Sequence, residues 1–247
     1  MAKKASIEAL ESLLVRLEAL RQEIDAVEEA SSRDRSLPYP GATDSDIAAG
    51  EKRLRFAFPP SYRAFLKIHN GWRNFSYDWS IMGVSGPGFE KAHREWTREA
   101  DKFERRKDRK KLSQTSKSDP SVIFWPEHVP LAVDYNGGFR VFDRNRPGPG
   151  GEYDIAEVYS GSEEAANRER DFIAIVNLAI AIARRELTGH GRSPDTIEKN
   201  ALKARASGQG ASAPSMTVAN RKAAPKPRPR QSRASGGAAK KVRKKRT

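Results

Sequence analysis

The chain has 247 residues, no cysteine and a formal net charge of +14, with 37% hydrophobic and 32% charged residues. Without cysteine there are no disulfide staples and no thiolate chemistry, and only His, Asp and Glu remain as metal ligands. No run approaches the roughly 20 apolar residues of a membrane-spanning helix; Glu8, Glu11 and Glu18 interrupt the N-terminal apolar residues, so no signal-peptide core is expected and the chain reads as cytoplasmic.

Ile7, Leu10, Leu14, Leu17, Leu20, Ile24 and Val27 form a helical stripe, which predicts an amphipathic helix from Ser6 to about Ala30. It packs on its own domain, or else forms a self-pairing coil or meets a partner helix; the stripe alone admits each. Pro38, Pro40 and Gly41 then predict a linker over Arg33 to Gly41. Thr43 and Asp46 form a capping-box start for a helix ending near Arg55, with Ile47, Ala48 and Leu54 as its apolar face.

The segment Phe58 to Trp72, FPPSYRAFLKIHNGW, specifies a helix with start, face and stop. Pro59 and Pro60 set an extended approach and Ser61 is the expected cap. Tyr62, Phe65, Leu66 and His69 share one face at i, i+3, i+4, i+7 spacing, and Asn70 and Gly71 supply the left-handed stop. Phe75, Tyr77, Trp79 and Ile81 alternate with polar residues, which predicts one half-buried strand.

From Glu90 to Lys117 there are 11 basic and 6 acidic residues around four large apolar anchors, Phe89, Trp96, Phe103 and Leu112. The stretch reads as a solvated, charged helical insertion at about 89–118, or as a dedicated partner or nucleic-acid face. Four short strands follow, at Val122 to Trp125, Val129 to Val133, Gly138 to Phe142 and Asp154 to Tyr159, and Asp134 to Gly138 joins two of them as a hairpin because Asn-Gly tolerates positive φ. Arg146 to Gly151 is a looser connection, and the apolar residues of Arg170 to Leu187 surround a helix that closes the core.

From Ala201 to Thr247 there are 14 Lys or Arg and no acidic residue, so the positive excess belongs to this end of the chain. Its Ala, Ser, Gly, Pro, Lys and Arg cannot bury enough apolar area to offset ordering entropy, and disorder is expected from about Ala204. Two basic runs stand out, one with Lys226, Arg228 and Arg230 and one with Lys240, Lys241, Arg243, Lys244, Lys245 and Arg246. With no aromatic residue between the charges, attraction to nucleic acid would be electrostatic and sequence-tolerant, and a plain solvated tail fits equally well.

The helix word, the preceding capped helix, the strands, the DYNGG hairpin and the final apolar helix together resemble the SUKH superfamily, in its Smi/Knr-type branch, over about Thr43 to Leu187. The residues that carry the likeness are Glu51, Pro59, Tyr62, Phe65, Leu66, Asn70 and Gly71, then Asp134, Asn136, Gly137 and Asp143. The resemblance implies an α+β fold, with helices flanking a central, mostly antiparallel sheet. Residues 37–190 form that domain, residues 1–36 an extra N-terminal helix and linker, and residues 191–247 a disordered basic tail. It also implies a non-catalytic protein-binding role, as in bacterial immunity proteins that neutralise a cognate toxin, or in scaffolds.

Chemistry-bearing patterns agree with that role. His69, His93, His128 and His190 are scattered, without HExxH or HxxxH spacing, and no glycine loop is followed by Lys-Ser or Lys-Thr. No catalytic residue, metal or cofactor is expected. Trp79 and Trp125 read as core, whereas Trp72 and Arg73, just past the helix stop, are the expected exposed contacts with a protein partner. A nucleic-acid adaptor using the tail is the alternative.

Overall fold

The computed structural model describes residues 2–29 and 35–208, among which seven strands form one antiparallel sheet whose spatial order equals chain order. These are β1 Leu37–Pro40, β2 His69–Ser76, β3 Trp79–Ile81, β4 His128–Val133, β5 Gly138–Pro147, β6 Tyr153–Tyr159 and β7 Asn167–Glu169. Seven helices accompany them: α1 Ala2–Val27, α2 Asp44–Leu54, α3 Pro60–Ile68, α4 Pro87–Glu104, α5 Arg109–Ser118, α6 Phe172–Gly189 and α7 Pro194–Ala206. The α+β class and the antiparallel sheet are as expected from the sequence.

Both sheet faces carry a core. On the first, the α1 stripe of Leu10, Leu14, Leu17, Leu20 and Ile24 is buried with Tyr62, Phe65 and Leu66 of α3, Phe172, Ile175, Val176 and Ile180 of α6, and Ile81, Leu131, Phe142 and Ile155 of the strands. The N-terminal helix therefore spends its apolar face on its own domain. On the second face, Trp96 and Phe103 of α4 meet Trp125, Phe139, Val141, Ala156 and Val158. Trp96 stacks on Trp125 with ring centroids 4.5 Å apart. The charged insertion is thus two helices, α4 docked by aromatic anchors and α5 by Leu112, with most of its charges on the outer side and Glu99 buried.

The capping box expected for α2 is present. Thr43 Oγ1 accepts from Asp46 N–H at 3.1 Å while Asp46 Oδ2 accepts from Thr43 N–H at 3.1 Å, completing the capping box, and Arg55 closes α2 in the left-handed region. Ile47 is buried and Leu54 partly so, but Ala48 is exposed. Asp171 Oδ1 caps α6 by accepting from Ala174 N–H at 2.7 Å.

Elsewhere the structure corrects the sequence reading. The expected linker contains β1, paired with β2 through Leu37 opposite Arg73 and Pro38 opposite Trp72; prolines are tolerated because β1 is an edge strand. The expected strand from Phe75 to Ile81 is a hairpin: the chain turns at Tyr77, whose φ is +48, so Ser76 pairs with Trp79. Trp125 is buried, as expected, but in a 3-10 turn over Trp125–Glu127, and only Val122 of its stretch makes a β-bridge, to Glu164. β7 and α7 had no periodic signal. Part of the tail expected from residue 191 forms α7, because Glu198 is buried between Arg16 and Arg184, at 2.6 Å from each; residues 209–247 of that tail lie outside the described residues.

Candidate functional site

The family-like residues turn out to fasten the scaffold. Glu51 Oε1 accepts from Phe58 N–H at 2.9 Å and from Arg63 at 2.8 Å, tying α2 to the approach and body of α3. Pro59 stands at the N-cap position, but Ser61 is not the cap: Glu152 accepts from its N–H at 2.9 Å and its hydroxyl at 2.6 Å. Tyr62 donates its hydroxyl to the Met82 carbonyl at 2.7 Å, and burial pushes its phenol far above the ordinary value, which keeps it a donor. Phe65 and Leu66 are fully buried.

Asn70 and Gly71 do not stop a helix, because α3 ends at Ile68 and His69 is already extended. Asn70 Oδ1 instead accepts from Val84 N–H at 2.8 Å, and Gly71, at φ +91, lets β2 approach Gly83, whose N would lie 2.6 Å from an added Cβ. In the β4–β5 hairpin, Asp134 Oδ1 accepts from Asn136 N–H at 2.8 Å and Gly138 N–H at 2.6 Å, with Gly137 at φ +82. Asp143 is buried beside Arg168 at 2.9 Å, His128 at 3.3 Å and Arg146 at 3.5 Å. Burial pushes its carboxyl up, but His128, the Asn145 N–H and Arg168 outweigh that and hold it at about 2.

Trp72 is not an exposed contact. It has 0% exposure, its indole N–H donates to Ser36 Oγ at 2.7 Å, and its ring packs edge-on against Phe75 at 5.3 Å. The exposure expected at a helix end does not arise because Trp72 lies inside β2 and points into the first core. Arg73, its neighbour on the opposite face, is half-buried and reaches the Arg35 carbonyl at 3.5 Å.

Arg73 borders a cleft of about 820 Å³ between α4 and the part of the second sheet face that α4 leaves open. Tyr39 of β1 and Tyr135 of the hairpin stand on its rim, and Met82, Phe89 and Phe139 give it apolar walls. Tyr135 is 65% exposed although its hydroxyl donates to Asn74 Oδ1 at 2.6 Å, so an amphipathic ring is held in one place for contact. Glu99, on the cleft side of α4, is 2% exposed. Sequence reasoning missed these residues, yet a signal existed: Phe89, Ala92, Trp96, Glu99 and Phe103 fall on one helical stripe, which places a carboxylate among apolar side chains.

The histidines are engaged separately. His69 packs on Trp72 at 5.0 Å and burial lowers its pKa; His93 lies on Phe89 at 5.5 Å, where burial and then Arg53 lower it; His128 meets Asp143, and His190 reaches Glu28 at 3.4 Å. Among the described residues no three His, Asp or Glu side chains converge on a metal position, and no helix is long and apolar enough to cross a membrane. The tail cations Lys226, Arg228, Arg230, Lys240, Lys241, Arg243, Lys244, Lys245 and Arg246 lie outside the described residues.

No curated protein matches the chain. A family model does, over residues 41–175, from just after β1 into α6, and so includes the α2–α3 clamp, the cleft strands and the hairpin. With more than half of the chain matched, and with its motif residues placed as fasteners of one sheet, the protein belongs to the SMI1/KNR4 family (SUKH-1).

Proposed function

We propose that the protein is a non-catalytic, cytoplasmic binding protein that neutralises a toxin by covering its working surface, with the cleft and its tyrosine rim as the contact. The observation that carries this reading is the fixed, exposed Tyr135 beside an aromatic-walled cleft of about 820 Å³. Tyrosine supplies large contact area at low conformational cost, and concave, partly apolar surfaces are where partners are held. Membership of the SMI1/KNR4 family supports a protein partner. Arg73 stays in the proposed contact as a rim residue, while Trp72 supports the wall from within.

The test is co-expression with toxins encoded beside this gene. Rescue of growth together with a co-purifying complex is the expected result, and failure against every neighbouring candidate overturns the reading. The 14 basic residues from Ala201 to Thr247 favour a second reading, a nucleic-acid-associated adaptor. It requires binding that depends on those residues and falls steeply with salt.

A further inference from the structure

Glu99 differs from the other carboxylates around the cleft. Asp78, Glu95 and Asp134 also border it, but Glu99 alone of these is fully withdrawn from solvent. Lys102 Nζ donates to its Oε1 at 2.7 Å, and Arg98 Nε lies 3.9 Å from the same oxygen. No donor among the described residues reaches Oε2. A buried carboxylate oxygen without a donor is costly and is rarely kept unless something else supplies one. Lys91 and Arg98, which border the cleft as well, are exposed, with Lys91 Nζ 4.0 Å from Glu95 Oε1, and Arg73 is half-buried on the sheet side.

From this unsatisfied oxygen at the wall of a cleft large enough for a side chain, we infer that the cleft receives an arginine of the partner protein, whose guanidinium donates to Glu99 Oε2. The inference rests on the protein-binding reading and names what the partner presents. Arginine fits better than lysine because the walls are partly aromatic: a guanidinium is planar, weakly hydrated and stacks on rings, whereas an ammonium is compact and strongly hydrated. The fold already uses this pairing nearby, with Arg53 4.4 Å over the Phe89 ring and Arg140 4.4 Å over Trp79.

The test uses the full chain and blocked pentapeptides Gly-Ser-X-Ser-Gly in which X is arginine, lysine or the neutral isostere citrulline. Amide NMR titration reads both location and affinity. The arginine peptide should shift the signals of Met82, Phe89 and Asp134 and bind about tenfold more tightly than the citrulline peptide, the worth of one charge-assisted hydrogen bond. Glu99→Gln should remove that preference without lowering the melting temperature. Ser85→Trp, on the exposed rim, should block the arginine peptide while leaving Glu99 in place. Equal binding of arginine and citrulline, tighter binding of lysine, an unchanged preference in Glu99→Gln, or no shift at millimolar peptide overturns the inference. A chain that rescues growth but shows no arginine preference keeps the binding reading and loses this one; the opposite pattern keeps the arginine site and loses the toxin.

Discussion

Glu152 caps α3 from ninety-one residues away, accepting from both the N–H and the hydroxyl of Ser61. A carboxylate at a helix N-terminus meets unpaired donors and the positive end of the helix dipole at once. Glu152→Ala should therefore cost about 1–2 kcal/mol, within the range of a lost helix cap. In a double-mutant cycle with Ser61→Ala under urea denaturation the two losses should be strongly non-additive. Simple additivity would mean that the two residues do not act as one cap.

The insertion helices depend on their anchors. Trp96 stacks on Trp125 and also meets the Phe139 ring edge-on at 5.4 Å. Trp96→Ala should destabilise the protein by about 3–5 kcal/mol and loosen α4 first. Hydrogen exchange should then rise in α4 and α5 ahead of β2 and α6; uniform acceleration across the sheet would contradict this separation of the two cores.

Stability should fall on mild acidification. Burial lowers the His69 pKa below its ordinary 6.5, and burial with Arg53 lowers that of His93. A histidine whose folded pKa is depressed contributes stability above the unfolded value and loses it as pH falls through the folded one. The melting temperature should thus drop between pH 7.5 and 5.5, by less in His69→Gln. A second loss should come from Asp143: held at about 2, it stabilises the fold above the ordinary 3.8 and ceases to do so as pH falls from there toward 2. Asp143→Asn should flatten that acid limb, and a slope identical to the parent's would refute the assignment.

Glu198 makes α7 part of the fold. It is 6% exposed and joins Arg16 of α1 to Arg184 of α6, both of which keep some contact with water. Glu198→Gln should cost about 1–3 kcal/mol, discounted from the cost of breaking a fully buried pair because the arginines can partly re-solvate. Calorimetry and limited proteolysis near Ser193 both read the outcome. No change in either would mean that α7 adds little to the domain.

What the sequence made legible was what neighbours in sequence decide. The Thr43–Asp46 box, the Asp134–Gly138 hairpin and the buried face of Tyr62, Phe65 and Leu66 all follow from residues within about two turns of one another. What it hid was set by distant partners. Trp72 looks exposed until β1 and Ser36 close over it, Ser61 looks like a cap until Glu152 arrives, and α7 looks like tail until Arg16 and Arg184 claim Glu198. The cleft belongs to the second group, because its walls come from α4 and from strands that meet only in the folded sheet. Glu99 was half visible, as a charge on an apolar stripe whose meaning required the opposing face.

The prolines of β1 reach beyond local geometry. Two of the four residues in this border strand have no N–H, and β7 at the opposite border is only three residues long, with Arg168 Nε donating to the Pro120 carbonyl at 2.6 Å. Each border is therefore a poor template for a visiting strand. The chain is guarded against sheet-to-sheet aggregation at high cellular concentration, and a protein that docks on it gains its hold broadside, through side chains, rather than by lengthening the sheet.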